Sequence, residues 1–124
     1  MVNQREFCRS LYAAAVEGVV EAETASLESP PGRTPPSDLV ELSEWYRGLA
    51  DADRRLARRL LREGATAAVF GVLAVVDGVR PIRNGQGNLV EFELAAQDGE
   101  RVVLNDARAE MLHDVFSEMV QQDG

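Results

Sequence analysis

Apolar and small residues recur at three- and four-residue steps near the start of the chain: Phe7, Leu11, Ala14, Ala15, Gly18, Ala22 and Ala25. Glu6, Glu17, Glu21 and Glu28 lie mostly off that stripe, and the spacing predicts an amphipathic helix over 3–28. Four prolines between positions 30 and 36 remove amide donors and push their predecessors into extended geometry, which predicts a stiff connector over 29–36. A second helix is expected over 37–48, capped by Ser37 or Asp38, with Leu39, Leu42, Trp45, Tyr46 and Leu49 on its buried face. After a break at Gly48-Leu49-Ala50, a third helix is expected over 51–76. Its last stretch, 65–76, is apolar almost all round and reads as a central buried helix. Its β-branched residues leave a strand as the alternative, and continuous length favours the helix. Asp77-Gly78 ends it, with Gly78 free to take the left-handed stop conformation.

The period then changes from about 3.6 to 2. Val90, Phe92 and Leu94 alternate with Glu91 and Glu93, and Val102-Val103-Leu104 returns after the turn signal Asp98-Gly99. An antiparallel hairpin is expected from strands 89–96 and 100–104, with Leu94 opposite Val103 and Ala95 opposite Val102. Residues 79–83 offer a third, edge strand despite Pro81, and 84–88 read as a loop. A fourth helix over 106–121, capped by Asn105 or Asp106, carries the stripe Met111, Leu112, Val115, Phe116 and Met119. The fold class is therefore α+β: a helix-rich single domain over 1–124, four helices with the hairpin between the third and fourth. A lone hairpin is marginal in water, so helices must cover its apolar face.

Composition narrows the function classes. The chain has 124 residues, 45% of them hydrophobic, which suits one modest core and argues against general disorder. No uncharged run reaches the roughly 20 residues that span a bilayer, and the start lacks a secretory apolar core, so a membrane is not an expected partner. The single cysteine, Cys8, has no internal disulfide partner and fits a reducing cytoplasm. The net charge of −8 repels nucleic-acid phosphates. Arg54, Arg55, Arg58, Arg59 and Arg62 form the one local basic stripe, five arginines against three acids over 51–64. No lysine, serine or aromatic residue interleaves them, so a solvated helix face is the expected reading and nucleic acid an unlikely partner.

His113 is the only histidine. A general base needs a partner within hydrogen-bond reach, and Asp106 or Asp77 are the carboxylates that a fold could bring to it. Scattered Cys, His and carboxylates give no zinc spacing, and Gly85-Gln86-Gly87 precedes a strand rather than opening a helix, against a phosphate loop. Glu91 and Glu93 read as a solvated strand face. No cofactor or metal site, and no catalytic constellation, is expected. Trp45-Tyr46 includes a ring that cannot share the core of Leu42 and Leu49, while Arg33 and Arg80 sit beside rigid turns. A partner or ligand patch drawn from Arg33, Trp45, Tyr46, Arg80 and His113 is the candidate surface.

Pro30-Pro31-Gly32-Arg33, Ser43-Glu44-Trp45-Tyr46, Val69 to Arg80, Leu104-Asn105-Asp106 and Leu112-His113-Asp114 stand in order along the chain. Together they resemble a family of small, functionally uncharacterised bacterial proteins, over roughly 5–118. The resemblance implies a bacterial origin and one compact domain, and transfers no activity, cofactor or catalytic residue. The sequence departs from it at Ala50, where a hydroxyl cap before Asp51 would be expected. The expected function is a non-enzymatic, cytoplasmic protein-interaction module, such as an immunity-like protein or mobile-element accessory factor, whose acidity steers it to a basic partner. The alternative is a small-ligand binder or minor enzyme with a pocket near Asp77, Arg80 and His113. The small-residue stripe or an uncovered hairpin edge would serve a homodimer.

Overall fold

The computed structural model describes residues 1–123. Its order is α1 (Gln4–Tyr12), a π-helical segment (Ala13–Glu17), α2 (Gly18–Glu28), α3 (Ser37–Arg47), α4 (Asp51–Val76), β1 (Ile82–Arg83), β2 (Leu89–Val90), β3 (Ala95–Asp98), β4 (Glu100–Val103) and α5 (Leu112–Asp123). The chain is helix-rich and α+β, with antiparallel strands between its last two helices, as the period change implies. It packs as two compact units, Met1–Tyr12 with Ala67–Gly124, and Ala13–Thr66.

In the first unit α1 packs on α5. Cys8, Leu73, Ala74, Leu104, Leu112, Val115, Phe116 and Met119 form the core. Phe116 and Leu112 are fully buried, and each such side chain contributes about 1.5–3 kcal/mol. The ring of Tyr12 tilts against Phe116 at 6.1 Å. In the second unit α2 packs on α3, and Val16, Val20, Leu27, Ser43 and Tyr46 are buried. The buried Ser43 hydroxyl donates to the Leu27 carbonyl at 2.6 Å, which satisfies it.

Several expectations need correction. The first helix is interrupted by the π segment, and the buried positions are Cys8, Val16, Val20 and Leu27 rather than the alanine-glycine stripe. Larger side chains displace more water than alanines do, so they take the core, and the wide turn shifts which positions face it. Helix α3 starts at Ser37 directly after the extended Pro36, whose carbonyl takes the Val40 amide, so neither Ser37 nor Asp38 caps it. Its buried residues are Ser43 and Tyr46, while Leu42 and Trp45 are exposed. Helix α4 has the expected bounds, yet in 65–76 only Leu73 and Ala74 are buried and Val72 is exposed, so this is not a buried central helix.

The stop after α4 has the expected form. Gly78 has φ +82°, its amide reaches the Val75 carbonyl, and the Val79 amide reaches that of Ala74. These are the two bonds of a Schellman stop.

Residues 82–83 do pair, with 89–90, but as a separate two-stranded ribbon rather than a third strand of the hairpin. The strand expected over 89–96 is broken at 91–94. Asn105 explains the break: its Nδ2 donates to the carbonyls of Phe92 (2.7 Å) and Val76 (3.0 Å), and its Oδ1 accepts the Leu94 amide (2.7 Å). One side chain thus takes the bonds a neighbouring strand would have made.

The β3–β4 register is Ala95 with Val103 and Ala96 with Val102, one residue away from expectation. The turn centres on Gly99 (φ +73°), so Asp98 pairs with Glu100 instead of lying in a two-residue loop. A one-residue slip moves every side chain of a strand to the other face of its partner.

The last helix begins at Leu112 and not at 106. Asp106 holds a turn, its Oδ1 accepting the Arg108 amide and its carbonyl the Ala109 amide.

Candidate functional site

The C-terminal end of α4 and the start of α5 meet through one carboxylate. Asp77 follows the last residue of α4, and its Oδ2 accepts the His113 backbone amide at 2.8 Å and the His113 Nδ1–H at 2.6 Å. The Asp77 side chain is 2% exposed and that of His113 11%. The first amides of a helix have no intrahelical acceptor, and Met111, just before α5, carries no capping side chain. Asp77 therefore acts as the cap of α5 from 36 positions away. The second bond places hydrogen on Nδ1 and leaves Nε2 3.3 Å from the exposed Asp114 carboxylate.

The Phe70 ring stands nearly perpendicular to the imidazole with centroids 5.5 Å apart, and the Arg80 guanidinium lies over the Phe70 ring, 5.8 Å from its centroid. Of the two carboxylates expected near His113, Asp77 is the one that arrives. Asp106 instead binds the Arg108 guanidinium, at 3.1 Å through Oδ2. The hydrogen bonds from Arg108 hold the Asp106 carboxyl below the usual carboxylate range. Burial, reinforced by the Asp77 carboxylate, pushes the Cys8 thiol up to about 11, so it is an inert neutral thiol at neutral pH. Its Sγ lies 3.7 Å from the Leu112 carbonyl.

Beside this junction is a cleft of about 490 Å³. It runs from the end of α4, where it reaches Val76 and Asp77, past 89–92 to 105–111. Leu89, Phe92 and Met111 line it while 61%, 42% and 47% exposed, and Glu91 and Glu110 line it with them. In a regular strand Leu89 and Glu91 would share one face and Phe92 would take the other; with 91–94 out of a ladder and held by Asn105, all three line the cleft. The sequence pattern places Glu91 in a solvated strand and Asn105 at a helix cap; a lone Asn directly after a returning strand is the signal for its bridging role.

The remaining candidates lie elsewhere. Arg33, Trp45 and Tyr46 belong to the second unit, Arg80 and His113 to the first. Tyr46 is fully buried and contributes no surface to a patch; its hydroxyl accepts from Arg58 at 2.8 Å. Trp45 is the outward ring, 56% exposed, one turn from the exposed Leu42. Arg33 is exposed in the connector. Two arginines of the basic stripe hold the α3–α4 turn: Arg54 donates to the Leu49 carbonyl, and Arg58 to Tyr46.

Among the described residues no group of three or more His, Cys, Asp or Glu side chains is placed to hold a metal ion. Among the described residues no helix is long and apolar enough to cross a membrane. No family model matches this chain, and neither the curated proteins nor the solved structures compared with it include a similar one.

Proposed function

We propose that this chain is a non-enzymatic protein-interaction module of a bacterial cytoplasm, of the immunity-like or mobile-element accessory kind, and that the cleft beside α5 is its contact surface. The observation that carries this reading is the exposure of Leu89, Phe92 and Met111 along one cleft. Large apolar side chains gathered at the surface mark interaction sites more often than scattered ones do. The ionisable residues next to it have structural work: Asp77 and His113 join two helices, and Arg80 lies on Phe70.

The test is capture from a lysate of the native host with wild-type protein and with folded Phe92→Ser/Met111→Ser protein, compared by quantitative mass spectrometry. A protein enriched by the wild type and lost with the variant supports the reading. Equal capture by both refutes the cleft as the contact surface.

A second reading has its own observation. The cleft reaches Asp77 and its volume falls within the roughly 300–1,000 Å³ of small-molecule sites. A thermal-shift screen against small metabolites with a hit abolished by Leu89→Trp, which would fill the cleft, favours a small-ligand binder instead.

A further inference from the structure

Resting on the interaction reading above, we infer that the cleft takes an arginine-bearing, otherwise apolar segment of a protein partner. Five carboxylates stand in or next to the cleft, and they are not equivalent. Asp77 is occupied by His113, Asp106 by Arg108, and Glu93, which neighbours the cleft residue Phe92, by Arg101. Among the described residues, Glu91 and Glu110 have no base within ion-pair distance. Both line the cleft together with exposed Leu89, Phe92 and Met111.

A side chain that satisfies this lining needs an apolar stem for the leucine, phenylalanine and methionine and a cationic head for the glutamates. Arginine and lysine have that form. Arginine fits better, because its planar head both stacks on an aromatic ring such as Phe92 and forks onto a carboxylate. The unit that carries the cleft reinforces the choice of sign, with six arginines against eleven carboxylates in sequence, a net −5. That field draws a basic segment in and turns a nucleic acid away.

The test is fluorescence anisotropy with three labelled peptides, one alternating Leu with Arg, one with Lys and one with Glu in the same places. The wild-type protein binds the Arg peptide, the Lys peptide several-fold more weakly and the Glu peptide not at all. Affinity for the Arg peptide falls as NaCl rises from about 0.05 to about 0.5 M. Glu91→Gln/Glu110→Gln weakens binding about tenfold, as expected for losing two charged contacts. Glu100→Gln/Glu118→Gln removes the same charge from exposed positions outside the cleft and changes affinity less than about twofold.

Equal weakening by the two charge variants, or binding of the Glu peptide as tight as that of the Arg peptide, overturns the inference. Binding that survives Glu91→Gln/Glu110→Gln but is lost in Phe92→Ser/Met111→Ser also overturns it, while sparing the cleft as a protein-contact surface. Binding unaffected by either variant overturns both readings. Far-UV circular dichroism identical to wild type is required of every variant.

Discussion

Asp77→Ala removes a carboxylate that no solvent can replace, since the side chain is 2% exposed. Two donors lose their acceptor, the His113 amide at 2.8 Å and His113 Nδ1–H at 2.6 Å. A hydrogen bond to a charged group is worth roughly 1.5–3 kcal/mol net, and a lost helix cap alone roughly 1 kcal/mol. The lower end of the first range for each of the two bonds gives a destabilisation of about 3 kcal/mol. Urea unfolding followed by circular dichroism reads it. With a slope of about 2 kcal/mol per molar for a chain this size, the midpoint falls by about 1.5 M.

Asp77→Asn keeps an oxygen able to accept both bonds and costs less than half as much. Pairing Asp77→Ala with His113→Ala in a double-mutant cycle yields a coupling of about 1 kcal/mol or more. A midpoint shift below about 0.3 M for Asp77→Ala refutes the trans cap, and additive single mutants refute the side-chain bond between Asp77 and His113.

Other consequences are smaller or opposite in sign. Thr24 Oγ1 is buried without a partner among the described residues, so Thr24→Val removes a desolvated hydroxyl and raises stability by about 1 kcal/mol in the same assay. Asn105→Ala abolishes three bonds that hold 91–94 and the end of α4; it costs about 3 kcal/mol and speeds hydrogen exchange of the Leu94 amide. Cys8 stays unreactive toward thiol reagents at pH 8 in the native protein and reacts at once in denaturant. Because its folded pKa, about 11, lies above the unfolded value, its contribution to stability is whole below pH ~9 and is lost as pH rises toward 11. The Asp106–Arg108 pair acts in reverse: its folded pKa is depressed, so its support for the 106–109 turn is present above the ordinary carboxylate pKa and lost as pH falls through the lowered one, readable by carboxyl-carbon NMR.

Much of the secondary structure was legible because single residues dictate it. The bounds of α4 and its stop follow from a run of helix formers closed by Asp77-Gly78, and the α5 core from Leu112, Val115, Phe116 and Met119 at helical spacing. What could not be read were interactions between distant positions. Nothing local says that Asn105 will cut the strand at 91–94, or that Asp77 rather than a neighbour will cap α5 and so set its start at Leu112 instead of 106. The hairpin register turned on one residue, since Asp98-Gly99 also suits a turn in which Gly99 alone takes positive φ. One ring of Trp45-Tyr46 is expected to point outward; it is Trp45, while the buried Tyr46 has its hydroxyl met by Arg58, twelve residues on.

For the candidate site, the pairing of His113 with Asp77 was among the possibilities the sequence offered. A pocket near Asp77, Arg80 and His113 was also an expectation; the cleft does reach Asp77, but its lining includes Leu89, Glu91, Phe92, Glu110 and Met111 rather than Arg80 and His113.

The central claim is that the apolar and acidic lining beside α5 is a contact surface while its neighbouring ionisable groups hold the fold. Amide NMR mapping during titration with the Leu-Arg peptide addresses it most directly. Perturbations concentrated at 89–92 and 106–111, with the Asp77–His113 junction unmoved, are the predicted result. Perturbations centred elsewhere, or a reorganised His113 environment on binding, would contradict it.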